Sequence, residues 1–180
     1  MIATKHTNRP RLRPTSTRVD PTPALYGQTV TPDQAMDLAI EEARLATVHG
    51  DVPVGAVLLD PNGVVLARRH NERELRRDPL AHAELLVLSE GAAALRDWRL
   101  TDTTLVVTLE PCAMCAGALI AARVGHLVYG AADLKAGACG SLYNLCDDPR
   151  LNHRVEVDRE VRAAECGELL SAFFAQRRDQ

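Results

Sequence analysis

The sequence predicts an α/β protein, a three-layer α/β/α sandwich with helices on both faces of a central five-stranded mixed sheet. Two observations carry this. Short apolar runs of strand length alternate with helix-length segments from Val54 to the C-terminal region. Asp60-Pro61-Asn62-Gly63 is a turn signal, Pro in its second position and Gly closing it, and it folds the first two runs into a hairpin.

Order begins at Thr31. Thr31 is a good N-cap, Pro32 suits the first helical position, and Gln34 has capping-box spacing. Ala35, Leu38, Ala39 and Ala43 give this helix a face of mostly small apolar residues, and it should end near Gly50. Strands are expected over Val54–Leu59 and Val64–His70. Asp78 can cap a helix starting at Pro79 and running into the mid-nineties. A strand over Leu105–Leu109, a helix from about Pro111 to Arg123, a strand over Val124–Gly130, a last strand over Asn152–Val157 and a closing amphipathic helix from Glu160 to about Arg178 complete the pattern.

The chain of 180 residues suits one domain, expected over residues 29–180. Residues 1–28 differ from it. Lys5, Arg9, Arg11, Arg13 and Arg18 lie among Pro10, Pro14, Pro21 and Pro23, Asp20 is the only acid, and no apolar period appears. A disordered extension is expected. It has three readings: an RNA-tracking arm, a transit peptide, or a tolerated floppy tail.

Composition is ordinary for a globular chain, with 46% hydrophobic and 25% charged residues; at 3% aromatic content, Ala, Val and Leu must build the core. A net charge of −3 argues against a surface that wraps nucleic acid everywhere, so any RNA would be held by a local patch. The first twenty residues lack an apolar signal core, and the longest apolar run, Cys112 to Ala122, is too short to span a bilayer. A cytoplasmic protein without a membrane partner is expected. Its five cysteines do not look like a disulfide framework, and in a reducing compartment a close pair among them points to metal rather than a disulfide.

Two segments carry the chemistry: His82-Ala83-Glu84 and Glu110-Pro111-Cys112-Ala113-Met114-Cys115. Zinc takes nitrogen and sulfur ligands in a tetrahedron. Cys112 and Cys115, three apart, share a helix face at the start of a helix, where the dipole favours thiolate. His82 makes a third ligand. A three-ligand set leaves a coordination position for water, as catalytic sites do, and a metal-bound water has its pKa lowered to about 7. Glu84 is the group to move protons. Positions two apart on a helix point about 200° apart, so His82 and Glu84 can serve one site only if the metal lies off the helix's N-terminal end. A closed structural site with Cys139, Cys146 or Cys166 as fourth ligand is the competing reading; otherwise those three are small buried apolar residues. The order H-x-E…P-C-x-x-C is the signature of zinc-dependent nucleobase deaminases, in which the Glu is an acid/base group and not a ligand.

From about Met36 to Arg178 the sequence resembles the bacterial tRNA-specific adenosine deaminases. The resemblance rests on Val52-Pro-Val-Gly-Ala-Val57, Ala81-His-Ala-Glu84, Thr108-Leu-Glu-Pro-Cys-Ala-Met-Cys-Ala-Gly-Ala118, Asp133-Leu-Lys135, Gly137-Ala-Cys-Gly-Ser141, Asn152-His-Arg-Val155 and Leu169-Leu-Ser-Ala-Phe-Phe174. It implies a cytidine-deaminase-like fold and conversion of the wobble adenosine to inosine in the anticodon stem-loop of an arginine tRNA. It implies one zinc per subunit on His82, Cys112 and Cys115, with Glu84 passing a proton to the ring nitrogen and then helping ammonia leave. The target base must leave the loop stack, which is cheaper for an unpaired base. By the same resemblance Asn71, Asp133, Lys135, Asn152, His153, Phe173 and Phe174 contact substrate, and the protein is a homodimer. Phe173 and Phe174 have helix packing as their bland alternative, and Arg177 and Arg178 either meet phosphate or complement a helix C-terminus. Ala132 departs from the Arg expected before Asp133, which weakens the grip on the RNA backbone and leaves the metal chemistry untouched. Two alternatives stand: a zinc deaminase of a free base, nucleoside or nucleotide, and an inactive zinc-binding scaffold.

Overall fold

A computed structural model of the chain describes residues 28–178. The extension expected over residues 1–28 lies, Gln28 apart, outside the described residues.

Helix α1 (Pro32–Ala46) begins as its sequence demands. Thr31 Oγ1 accepts the Gln34 N–H at 3.3 Å, and Gln34 Oε1 accepts the Thr31 N–H at 2.9 Å. A short 3₁₀ turn follows, closed by Gly50 in the left-handed conformation at φ 79°. Strands β1 (Gly55–Leu59) and β2 (Val65–His70) form the antiparallel hairpin around Asp60–Gly63. The Asp60 carboxylate accepts the Asn62 and Val64 N–H groups, each at 2.8 Å, which fixes the turn.

After a one-turn helix α2 (Arg73–Arg76) come α3 (Ala83–Leu95), β3 (Thr104–Leu109), α4 (Ala113–Ala122), β4 (His126–Ala131), β5 (Glu156–Asp158) and α5 (Ala163–Arg178). The five strands make one sheet in the order β2-β1-β3-β4-β5. β1 is antiparallel to β2 and β3, while β3–β4 and β4–β5 are parallel, so the sheet is mixed as expected.

Strand alternation divides the core into two layers. Ala56, Leu58, Leu105, Val107, Leu127 and Tyr129 face α3 and α4, packing on Val87, Leu88, Ala116 and Leu119. Val57, Leu59, Val106 and Val128 face the other way, onto Ala35, Met36, Ala39 and Ile40 of α1 and Cys166 of α5. Gly55 lies so close beneath α1 that a Cβ there would run into the Ala39 carbonyl and the Ala43 amide.

Two boundaries differ from the sequence reading. Asp78 starts no helix at Pro79: its carboxylate accepts the Leu80 N–H at 2.9 Å, and its carbonyl the Ala81 N–H at 3.2 Å, closing a turn. α3 begins only at Ala83, with His82 as its N-cap. The last strand pairs over Glu156–Asp158 alone. Asn152 and His153 are held off the sheet, Asn152 Oδ1 accepting from Arg123 at 2.7 Å and His153 Nε2 meeting the Val124 carbonyl at 2.7 Å. Among the described residues no helix is long and apolar enough to cross a membrane.

Candidate active site

The N-termini of α3 and α4 bring His82, Cys112 and Cys115 together. His82 and Cys112 are the N-caps of their helices, both in extended conformation, and Cys115 lies in the first turn of α4. Cys112 lies three residues beyond the C-terminal end of β3, the end at which open α/β sheets place their ligands. His82 stands outside the helix and Glu84 inside its first turn, so the two can serve a metal off the helix end.

His82 Nδ1 lies 3.5 Å from Cys115 Sγ and 4.0 Å from Cys112 Sγ, and the two sulfurs are 3.7 Å apart. Zinc–sulfur bonds of about 2.3 Å and zinc–nitrogen bonds of about 2.0 Å require tetrahedral edges of roughly 3.8 Å between sulfurs and 3.5 Å between sulfur and nitrogen. The Cys112–Cys115 and Cys115–His82 separations match these edges, and the Cys112–His82 separation of 4.0 Å lies somewhat above them. None of the competing fourth ligands joins them in this geometry: Cys139 Sγ and Cys146 Sγ contact each other at 3.5 Å, and Cys166 Sγ packs on Met36 Sδ in the opposite layer. Among the described residues these three donors form the one cluster with metal-site spacing.

The electrostatics favour a metal-ready sulfur. The Cys115 thiol and then His82 hydrogen-bond to Cys112 and pull its pKa down to about 3, so Cys112 carries the thiolate. Cys115 is held up by that same hydrogen bond and by burial. The bond to Cys112 raises His82. Glu84 is 3% exposed and its Oε2 has no hydrogen-bond partner. Burial pushes its carboxyl above the usual carboxylate range, so the group holds a proton readily. An unpartnered buried carboxylate oxygen is costly, and here it stands two residues from His82.

The other predicted site residues separate into two groups. Asn71 is beside the cluster: its Oδ1 accepts the Ala83 N–H at 2.9 Å and its Nδ2 donates to the Val52 carbonyl at 3.2 Å, so its amide also holds the start of α3. Asp133 and Lys135 lie on the loop after β4, and Asp133 Oδ1 accepts the Lys135 and Ala136 N–H groups at 2.9 and 3.1 Å. The structure does not bring Asn152 and His153 to the donors. They are tied to the far end of α4, whose ten residues span about 15 Å. On α5, Phe173 is buried with Arg177 stacked over its ring at 4.6 Å, while Phe174 is 46% exposed.

Sequence reasoning missed three groups. The Arg73 charge reaches His82 from α2. Asp51 accepts the Glu74 and Leu75 N–H groups at 3.0 and 3.3 Å and so fixes α2 beside Asn71. Glu110 is 2% exposed and gathers the loop after β4; burial pushes its carboxyl up, but hydrogen bonds from Ser141, Asp133 and Cys139 outweigh that and leave it below its ordinary value. An acid closing the otherwise uncharged strand Thr104–Leu109 was the available signal for it.

The MafB19-like deaminase family matches residues 31–178. The tRNA-specific adenosine deaminase of Bacillus subtilis is 51% identical over 143 residues, covering 79% of this chain and 88% of its own. The enzyme of the same name from Haemophilus influenzae is 44% identical over 148 residues, covering 82% and 86%. A solved structure from work on A-to-I editing by tRNA:A34 deaminases at the wobble position of transfer RNA superposes with a TM-score of 0.73, at 41% identity, over 76% of this chain and 99% of that one.

Proposed function

Given that the chain belongs to the tRNA-specific adenosine deaminases, within the MafB19-like deaminase family, we propose that it hydrolyses the wobble adenosine of a tRNA anticodon loop to inosine, an arginine tRNA by resemblance. The observation that carries this is the triad of His82 Nδ1, Cys112 Sγ and Cys115 Sγ with the buried Glu84 carboxylate beside it, whose Oε2 has no hydrogen-bond partner. His82, Cys112 and Cys115 would hold one zinc ion per subunit. Bound there, zinc lowers the pKa of a coordinated water to about 7 and so supplies a nucleophile at neutral pH.

The chain's own residues do the rest. Glu84 takes up one proton of the attacking water and delivers it to the ring nitrogen next to the reacting carbon; it then takes the remaining proton from the new hydroxyl on that carbon and passes it to the amine, which leaves as ammonia while the carbonyl forms. Its burial keeps that proton from bulk solvent. Asn71 fixes the α3 start and with it the spacing of His82 and Glu84, and by resemblance it also contacts the target base. Asp133 and Lys135 face the neighbouring nucleotides, and Phe174 offers an exposed ring to a loop base. Asn152 and His153 belong to a wider RNA surface that a second subunit would complete, whereas Phe173, buried beneath Arg177, serves helix packing. A homodimer accords with the apolar trough between α3 and α4, lined by Leu85, Leu88, Ala118, Ala122 and the exposed Trp98. A cytoplasmic location accords with this reading, since tRNA and reduced thiols are found there.

The test is to incubate the zinc-loaded protein with an anticodon stem-loop bearing adenosine at the wobble position and sequence the product. Inosine at that position supports the proposal. Turnover of free adenosine, guanine or cytidine alone moves the substrate to a small molecule.

A further inference from the structure

Glu110 does more than precede the first cysteine ligand. Oε1 accepts the Cys139 and Ser141 N–H groups, each at 3.0 Å. Oε2 accepts the Asp133 N–H at 3.0 Å and the Ser141 hydroxyl. An ionised carboxylate has about four acceptor positions. All of them are filled, and every donor comes from residues 133–141. The backbone adds to the seam: Ala138 N–H donates to the Pro111 carbonyl at 2.9 Å, and Cys112 and Gly137 form an antiparallel bridge. Gly137 has no room for a Cβ, which would fall onto the Glu110 carboxyl and the Asp133 carbonyl. Between the clamped ends Leu134, at 79% exposure, and Lys135 project from the surface.

We propose that Glu110 is a positioning residue for substrate: its carboxylate holds the 133–141 loop, and with it Asp133 and Lys135, at a fixed distance from the metal-ligand helix α4. This rests on the RNA reading given above. One side chain thereby sets two things, the entry of the chain into Cys112 and the placement of the loop that faces the nucleotides beside the target base. A carboxylate is needed because every donor is an N–H or O–H. A glutamine would turn an amide NH₂ toward either the Cys139 and Ser141 amides or the Asp133 amide and Ser141 hydroxyl.

The experiment compares Glu110→Gln and Ser141→Ala with the wild type in three readouts: zinc content, hydrogen exchange of the 133–141 amides, and kinetics on the anticodon stem-loop. Glu110→Gln is expected to keep one zinc per chain, to lose exchange protection in the loop, and to raise KM for the stem-loop by about tenfold while kcat stays within about threefold, the signature of lost binding common to ground and transition states. Ser141→Ala, which spares the carboxylate, is expected to shift exchange and KM in the same direction by less, and it decides the matter if Glu110→Gln fails to fold. Unchanged loop exchange, or lost exchange protection with KM unchanged, overturns the inference and leaves Glu110 a strut. If the wild type converts no stem-loop at all, the RNA reading fails, and loop exchange alone still decides whether Glu110 holds the segment.

Discussion

The Asn71 side chain at the end of β2 accepts the backbone N–H of Ala83, the first residue of α3, at 2.9 Å. The cap of the helix that carries the chemistry therefore comes from twelve residues upstream. His82, the formal N-cap, makes no side-chain cap bond, so its imidazole can turn to the sulfurs.

Asn71→Ala should thus cost stability and catalysis together. It removes a cap and strands the buried Ala83 N–H, a loss of about 1–3 kcal/mol. Urea unfolding measures it, and zinc affinity should fall with it as His82 loses its fixed approach.

The zinc stoichiometry should discriminate among the cysteines. Cys112→Ala or Cys115→Ala should lose the metal, whereas Cys166→Ala and Cys146→Ala should each retain one zinc per chain, because neither sulfur approaches His82. Metal analysis after gel filtration reads this directly.

Gly55 tests the seat of α1. Gly55→Ala would push a methyl into the α1 backbone at Ala39 and Ala43, and backbone cannot turn aside as a side chain does. Overpacking of this kind costs about 1–3 kcal/mol or somewhat more, read as a lowered midpoint of thermal or urea unfolding.

Acid should weaken the fold through Glu42. This buried carboxylate faces Arg68 Nε at 2.5 Å and His70 Nδ1 at 2.7 Å. Burial pushes its pKa up, but the hydrogen bonds from His70 and Arg68 outweigh that and leave it below its ordinary value. A carboxylate held low in the folded state stabilises fully above its unfolded pKa, about 4.3, and that contribution is lost as pH falls through the folded value. Urea midpoints measured from pH 6 to pH 3 should drop less steeply in Glu42→Gln than in the wild type.

Much of this was legible in the sequence because it is local. The Thr31–Pro32–Gln34 cap, the Asp60–Gly63 turn and the short apolar runs of β1, β3 and β4 are all settled by neighbours a few residues apart. The donor triad was legible as spacing. What escaped depends on distant partners. α3 starts at Ala83 because Asn71 reaches it, not where Asp78 signals a start. The one-turn α2 exists because Asp51 supplies its cap from more than twenty residues away. Glu110 reads in sequence as a motif flank, and only the folded loop at 133–141 shows what its carboxylate holds. Asn152 reads as strand until Arg123 takes its side chain.

The central claim is that a buried carboxylate beside a three-donor metal site moves the proton. Glu84→Gln on the wobble-adenosine stem-loop tests it most directly, with zinc measured on the same sample. The account predicts one zinc per chain and a loss of inosine formation by about 10²–10⁴-fold, the range general acid–base groups supply. Full zinc with turnover within a few-fold of the wild type would contradict it, and the proton would then have to travel by another residue.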